Sequence, residues 1–210
     1  MYVPAHFAAS PNEIRALLSS HAAADLITST ETGLLASTLP LVFDPDAGEH
    51  GALRGHLARN NPQWSTPALG EALVILRGSD AYITPSWYAA KARHGRVVPT
   101  WNYTVAHVYG HLAIHDDPDW LDAHVRRLTA RHEAAEPHPW SVDDAPERFV
   151  RGQLRAIVGL ELRITRVEAK LKLSQNRAEE DIEGVVAGLH RRGDHRGADA
   201  VAAARRDRTA

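Results

Sequence analysis

Residues 98–111 read VPTWNYTVAHVYGH. Continued to residue 115, the run alternates. Ala106, Val108, Gly110, Leu112 and Ile114 fall on one side of an extended chain, and His107, Tyr109, His111 and His115 on the other. A strand buried on both faces would be apolar in both phases, and one open to plain solvent has little use for so much ring surface. The pattern predicts a barrel strand over about 102–115, with its apolar side inward and a polar, aromatic side facing some other surface.

The neighbouring segments repeat this behaviour. DLITST, GLLASTLPLVFD, GALRGHLA and ALVILRG, between residues 25 and 78, read as four strands punctuated by Gly33, the Asp44-Pro45 and Gly48 loop, and Gly70, which suggests a meander. In GALRGHLARNNPQW, Leu53 and Leu57 oppose Arg54 and His56. RAIVGLELRITRVEAK (155–170) alternates too, with Ala156, Val158, Leu160, Leu162 and Ile164 opposite Gly159, Glu161, Arg163 and Thr165.

Helices are equally marked. Ser10 caps, Pro11 opens and Glu13 completes the start of one whose apolar face is Ile14, Leu17 and Leu18. TPSWYAAKARHG reads as a short helix or turn. Asp117 and Pro118 start a helix with Leu121, Val125 and Leu128 inward, and ERFVRGQL is a short one. The C-terminal stretch reads as two helices broken near Gly193. This order predicts an α+β fold: an antiparallel sheet of six or more strands closed on itself, occupying 1–170 with the N-terminal helix, and a helical extension over 171–210.

Composition narrows the function. The chain has 210 residues, 44% hydrophobic and 24% charged, which excludes a disordered chain. There is no cysteine, hence no disulfide, thiolate metal site or cysteine nucleophile. No apolar run approaches the ~18 residues of a membrane span and no leader pattern opens the chain, so the expected location is the cytoplasm, with no membrane partner. A formal charge of −2 argues against a protein that chiefly grips nucleic acid phosphates. The arginine-rich stretch 191–210 reads as a solvated helix, and the two terminal helices as a packed hairpin rather than a DNA-reading pair.

Three ligand readings compete for the ring-bearing faces. His107 and His111 are four apart, which on a strand separates their side chains by ~13 Å, too far to share a metal ion. A second reading has the rings cover the barrel or pack on another subunit. A planar heterocycle bearing a phosphate is the third reading, since it needs ring surface, amides and cationic or N–H donors. Trp101, Asn102 and Tyr103 supply ring and amide. Arg59, Asn60 and Asn61 sit at a strand end beside Trp64. Lys172, Ser174, Gln175, Asn176 and Arg177 form a second polar cluster, read as entering a helix capped by Ser174 or Asn176, where N–H groups favour an anion.

The strings MYVPAHF, TGLLASTLPLVFD, GHLARNNPQW, AYITPSWY, VPTWNYTVAHVYG and KLSQNR, in this order from Met1 to about Leu189, resemble the PaiB-type family of FMN-binding negative transcriptional regulators. The resemblance implies a flavin-binding split β-barrel and a homodimer with FMN at the subunit interface. It places His56, Arg59, Asn60 and Asn61 near the phosphate and Trp101, Asn102 and Tyr103 in the family's aromatic segment. Members often carry a basic residue after the Asp of the helix following SQNR, where this chain has Asp181 then Ile182. The implied role is negative regulation driven by ligand or redox sensing. The alternatives are an FMN-dependent oxidoreductase with His107 or Tyr109 as proton donor, and a haem-binding or haem-degrading protein using His107 or His111.

Overall fold

The computed structural model describes residues 1–20 and 23–206. Helix α1 (Pro11–Ser20) opens with the expected capping box: the Ser10 amide donates to Glu13 Oε2 at 2.7 Å and the Glu13 amide to Ser10 Oγ at 3.3 Å. Strands β1 (Ala23–Thr30) and β2 (Gly33–Pro40) form an antiparallel hairpin, with Thr30 opposite Gly33, whose φ of 118° suits only glycine.

The run 33–44, expected as one strand, is two. β2 ends at Pro40, which has no amide to donate, and β3 (Val42–Asp44) begins after the single residue Leu41. β3 pairs with β4 (Ala52–Ala58), and β5 (Ala72–Ile83), β6 (Thr100–His115) and β7 (Ile157–Lys172) complete one sheet of order β2-β1-β5-β6-β7-β4-β3. The expected meander is therefore corrected: β1 pairs with β2 and β5, β4 with β3 and β7, and β2 and β3 stand at opposite ends of the order. Because one residue joins those two ends, the sheet has to curl until its edges meet. Gly55 of β4 permits the meeting, since a Cβ there would lie 2.7 Å from Leu41 Cδ2 and 2.9 Å from Leu39 Cδ1.

Five further helices follow in chain order: α2 (Ala89–His94), α3 (Pro118–Glu133), α4 (Glu147–Leu154), α5 (Glu179–Arg191) and α6 (His195–Arg206). Two compact units result, both discontinuous in sequence. The barrel unit comprises Ala16–Leu76 and His107–Val167; the helical unit comprises Met1–Arg15, Arg77–Ala106 and Glu168–Ala210, drawing on residues either side of position 170.

Inside the barrel unit, Leu26, Leu53, Leu57, Val74, Val108, Val158, Leu160 and Leu162 are buried, each contributing roughly 1.5–3 kcal/mol of apolar transfer energy. The β6 alternation holds through Gly110 and then fails. Leu112 is only half-buried and Ile114 is 39% exposed, so neither lines the interior as expected. At this end of β6, Trp120 of α3 stacks on the ring of His115 at 4.2 Å. The same indole covers Gly159, where a Cβ would overlap the ring, so the second face of β7 is buried as well.

The helical unit has its own core of Ile83, Tyr88, Leu173, Ile182, Val185, Leu189, Ala198, Val201 and Ala204. The two terminal helices thus pack as a hairpin through their apolar faces. Trp87 seats in a notch of α5 made by Gly184 and Gly188, one turn apart, with no room for a Cβ at either. Asp181 is buried and accepts the Ala90 amide at 2.9 Å, capping α2, whose own N-cap Tyr88 offers no side-chain bond. Gly188→Ala should therefore lower stability by about 1–3 kcal/mol through overpacking against Trp87, although alanine is the better helix former by ~1 kcal/mol. A urea midpoint no lower than wild type would show the notch to be loose.

Candidate functional site

In the helical unit, β6 from Thr100 and β7 from Glu168 present the segment containing Trp101, Asn102 and Tyr103. Trp101 is 54% exposed, with Tyr82 edge-on at 6.1 Å. Asn102, one residue on and of opposite phase, is 3% exposed; its Nδ2 donates to Ser174 Oγ at 3.0 Å, and the Ser174 hydroxyl donates back to Oδ1 at 3.2 Å. This clasp holds Ser174 at φ 68°, the one positive φ among the described non-glycine residues. Gln175 locks the same turn, accepting the Leu173 amide at 2.7 Å and donating to the Leu171 carbonyl at 2.6 Å.

The cations converge on that turn. Lys172 Nζ donates to Thr100 Oγ1 and to the Trp101 carbonyl. Nζ of Lys170 and Nζ of Lys172 lie 5.4 and 5.8 Å from the Tyr103 ring centroid, and Arg177 covers the Tyr88 ring at 4.6 Å. Burial, then the charges of Lys170 and Arg177, lower the pKa of Lys172. A bound anion would relieve that repulsion, so the donor set suits a phosphate. Asn176 is exposed. The expected helix entry at this cluster is corrected: α5 starts only at Glu179, its N-cap is Ala178 with no side-chain bond, and Glu179, Glu180 and Asp181 fill its first turn. Those carboxylates already occupy the helix's positive end, so any anion here is met by side chains.

In the barrel unit the structure groups Arg59, Asn61 and Trp64 around the end of β4, while His56 meets His124 instead. Arg59 Nε donates to the Arg155 carbonyl at 2.8 Å, Nη1 to Asp116 Oδ2 at 3.0 Å, and Nη2 to Asp116 Oδ1 and the Ile157 carbonyl. Asn61 caps the 3₁₀ turn Pro62–Trp64 by accepting the Gln63 amide at 2.9 Å, and it donates to Ser37. The Trp64 indole N–H donates to the Arg59 carbonyl at 2.7 Å. Asn60 is exposed. His107 and Tyr109 are half-buried on their strand face, 6.4 Å apart edge-on, with the Arg166 guanidinium 3.3 Å above the Tyr109 ring.

Sequence reasoning missed a histidine array on the barrel's flank. His115, Trp120 and His124 stack in order, and His124 Nε2 lies 3.1 Å from His56 Nδ1. The signal was the phase of His124, three residues after Leu121 on α3's inward stripe. Two buried nitrogens there, His115 Nε2 and His124 Nδ1, lack a partner among the described residues. Beside them Arg54 bridges Asp44 at 2.6 Å and Glu161 at 2.8 Å, and Glu161 also accepts from Arg163 at 2.9 Å. Burial opposes ionisation of Asp44 and Glu161, but hydrogen bonds and nearby positive charge together outweigh it and both pKa values fall. Burial, then His56, lowers His124 to about 4. Among the described residues no group of three or more metal ligands converges, and no helix is long and apolar enough to cross a membrane.

The antiparallel sheet, with its two ends joined through Leu41, defines the fold class, a split β-barrel. The chain belongs to the family described as "Putative FMN-binding domain", whose pattern matches residues 1–166, and membership assigns FMN as its cofactor. It is 31% identical over 191 residues to protease synthase and sporulation protein PAI 2 of Bacillus subtilis, covering 90% of this chain and 89% of that protein, in accord with the PaiB-type resemblance. It is 32% identical over 189 residues to the uncharacterized protein AN0679 of Emericella nidulans, 75% of each chain being covered. Two solved structures share the fold. Conserved hypothetical protein Rv2991 from Mycobacterium tuberculosis superposes with a TM-score of 0.58 at 13% identity, over 85% of this chain and 95% of that one. The FAD and heme binding protein from Mycobacterium smegmatis gives 0.53 at 17% identity, over 83% and 77%.

The histidine array carries a pH dependence of definite sign. A histidine whose pKa falls from 6.5 unfolded to about 4 folded resists protonation only in the native state. Stability is therefore full above pH 6.5 and lost as pH falls towards 4, by up to about 3 kcal/mol. Burial also lowers the pKa of His56 and His115, so they act in the same direction. Urea midpoints measured between pH 7.5 and 5 should fall, and His124→Gln should flatten the slope. An unchanged slope in the variant would remove His124 as its source.

Proposed function

We propose that the chain works as a homodimeric FMN-dependent regulator of transcription, acting negatively and responding to a ligand or to the redox state of its flavin. The observation that carries the reading is one cluster, in which Lys172 donates to the carbonyl of the exposed Trp101, Lys170 and Lys172 adjoin the Tyr103 ring, and the charge of Arg177 reaches Lys172. Trp101 would hold the flavin ring, with Asn102 and Ser174 setting the strand and turn, Gln175 and Asn176 shaping the turn's rim, and Lys172 with Arg177 meeting the phosphate. A second subunit would cover the exposed aromatic side formed by Tyr82 and Trp101. When bound, FMN supplies reversible one- and two-electron chemistry; the protein supplies position and charge.

We give His56, Arg59, Asn60, Asn61 and Trp64 a different part, as the corner that fixes the end of β4. Regulation rather than turnover is favoured by the resemblance and by relatedness to a protein named for protease synthesis and sporulation. His107 and Tyr109 would become proton donors if the protein instead proved to be an oxidoreductase.

The protein as purified should release FMN on heating, identified by absorbance and mass. Stacking on a half-exposed indole is worth ~2–3 kcal/mol, and a charge-assisted bond about 1.5–3 kcal/mol. Trp101→Ala and Lys172→Gln should each weaken FMN at least about tenfold. Unchanged affinity in both would remove the site. A protein that stays monomeric with FMN bound would remove the interface, and steady NAD(P)H consumption with an added acceptor would favour the oxidoreductase.

A further inference from the structure

A cavity of about 320 Å³ opens in the barrel unit between the first turn of α3 and the last turn of α4. Its floor is apolar: Pro118 and Leu121 from α3, Leu154 from α4. Arg59, Arg151 and Arg155 line it as well, with one acidic residue, Asp116.

The charges are unevenly committed. Asp116 gives both oxygens to Arg59, and that hydrogen bond, ahead of opposing burial, lowers its pKa. Arg59 spends its other donors on the carbonyls of Arg155 and Ile157. Arg151 makes only a solvent-exposed i,i+4 pair with Glu147, a contact of little worth in water. Arg155 is exposed and pairs with no carboxylate among the described residues. Two arginines with donors to spare therefore line the cavity together with three apolar side chains. A planar fork of N–H donors matches a carboxylate two bonds at a time, and a leucine and proline floor rejects a bare inorganic ion. The volume is at the lower end for small-molecule sites and fits a single-ring body.

We propose that this cavity binds a small monocarboxylate with an apolar body, of the class of aromatic or branched aliphatic acids. Arg155 and Arg151 hold the carboxylate, and Leu121, Leu154 and Pro118 hold the body. The site stands apart from the flavin reading and uses none of the residues assigned there to FMN.

Benzoate is the probe, titrated into the full chain by calorimetry and by thermal denaturation, with benzamide as the neutral counterpart. Benzoate should bind saturably and raise the thermal midpoint, as a ligand of the native state must. Benzamide should bind at least about tenfold more weakly. Arg155→Gln and Arg151→Gln, both at exposed positions, should each weaken benzoate about tenfold while leaving FMN content unchanged. Absence of saturable benzoate binding overturns the proposal, as does benzamide binding equally well. Inorganic phosphate matching benzoate would reduce the site to bare charge and overturn it too. Displacement of benzoate by FMN would assign the cavity to the cofactor and have the same effect.

Discussion

A sheet whose first and last strands are joined by one residue has nowhere to end. Leu41 imposes that constraint, and most of the barrel unit follows from it. Open edges would expose rows of unpaired amides and carbonyls, and bringing the edges together limits that exposure. Once closed, the sheet has an inside, which fixes the phase of every strand: Leu26, Leu53, Val74, Val108 and Val158 share it because no other place excludes water. The cost falls on Gly55, where no side chain fits beneath the corner that Leu39 and Leu41 make.

The flank of the barrel is organised by a second large side chain. Trp120 lies against the bare backbone of Gly159 and between the rings of His115 and His124, so α3 is fixed by stacking as much as by its apolar stripe. Next to it, Glu161 is only 4% exposed yet ionised, because Arg54 and Arg163 supply hydrogen bonds that offset its loss of hydration. Stacked rings that disfavour charge and a carboxylate that requires it therefore sit side by side.

Much of the barrel was legible in the sequence, because a strand's phase is a local property. The inward sets of β4 and of β6 through Gly110, the capping box of α1 and the Asp117-Pro118 start of α3 needed only near neighbours. Where the partner was distant, local reading failed. Nothing within 33–44 says that its two halves belong to opposite edges of the sheet. Nothing near Glu161 announces Arg54, 107 residues earlier. The SQNR turn looks like a helix start because serine and asparagine are good caps, but Ser174 is drawn to Asn102 and the helix begins later. Of the candidate site, the residue types and their grouping were readable. That Arg59 is satisfied by Asp116 and two carbonyls, while Lys172 lies among other cations, depends on folding.

Ser174 makes the choice of residue at one position depend on another 72 residues earlier. Its backbone is in the region that favours glycine, where other L-residues pay about 1 kcal/mol or more. Glycine would ease the chain but strand the buried amide of Asn102 without its hydroxyl, a loss of roughly 1–3 kcal/mol. An apolar residue at 102 would in turn leave serine strained to no purpose. Descendants of this chain should thus keep the pair or replace both together, and a lineage carrying only one half would be passing through a less stable intermediate.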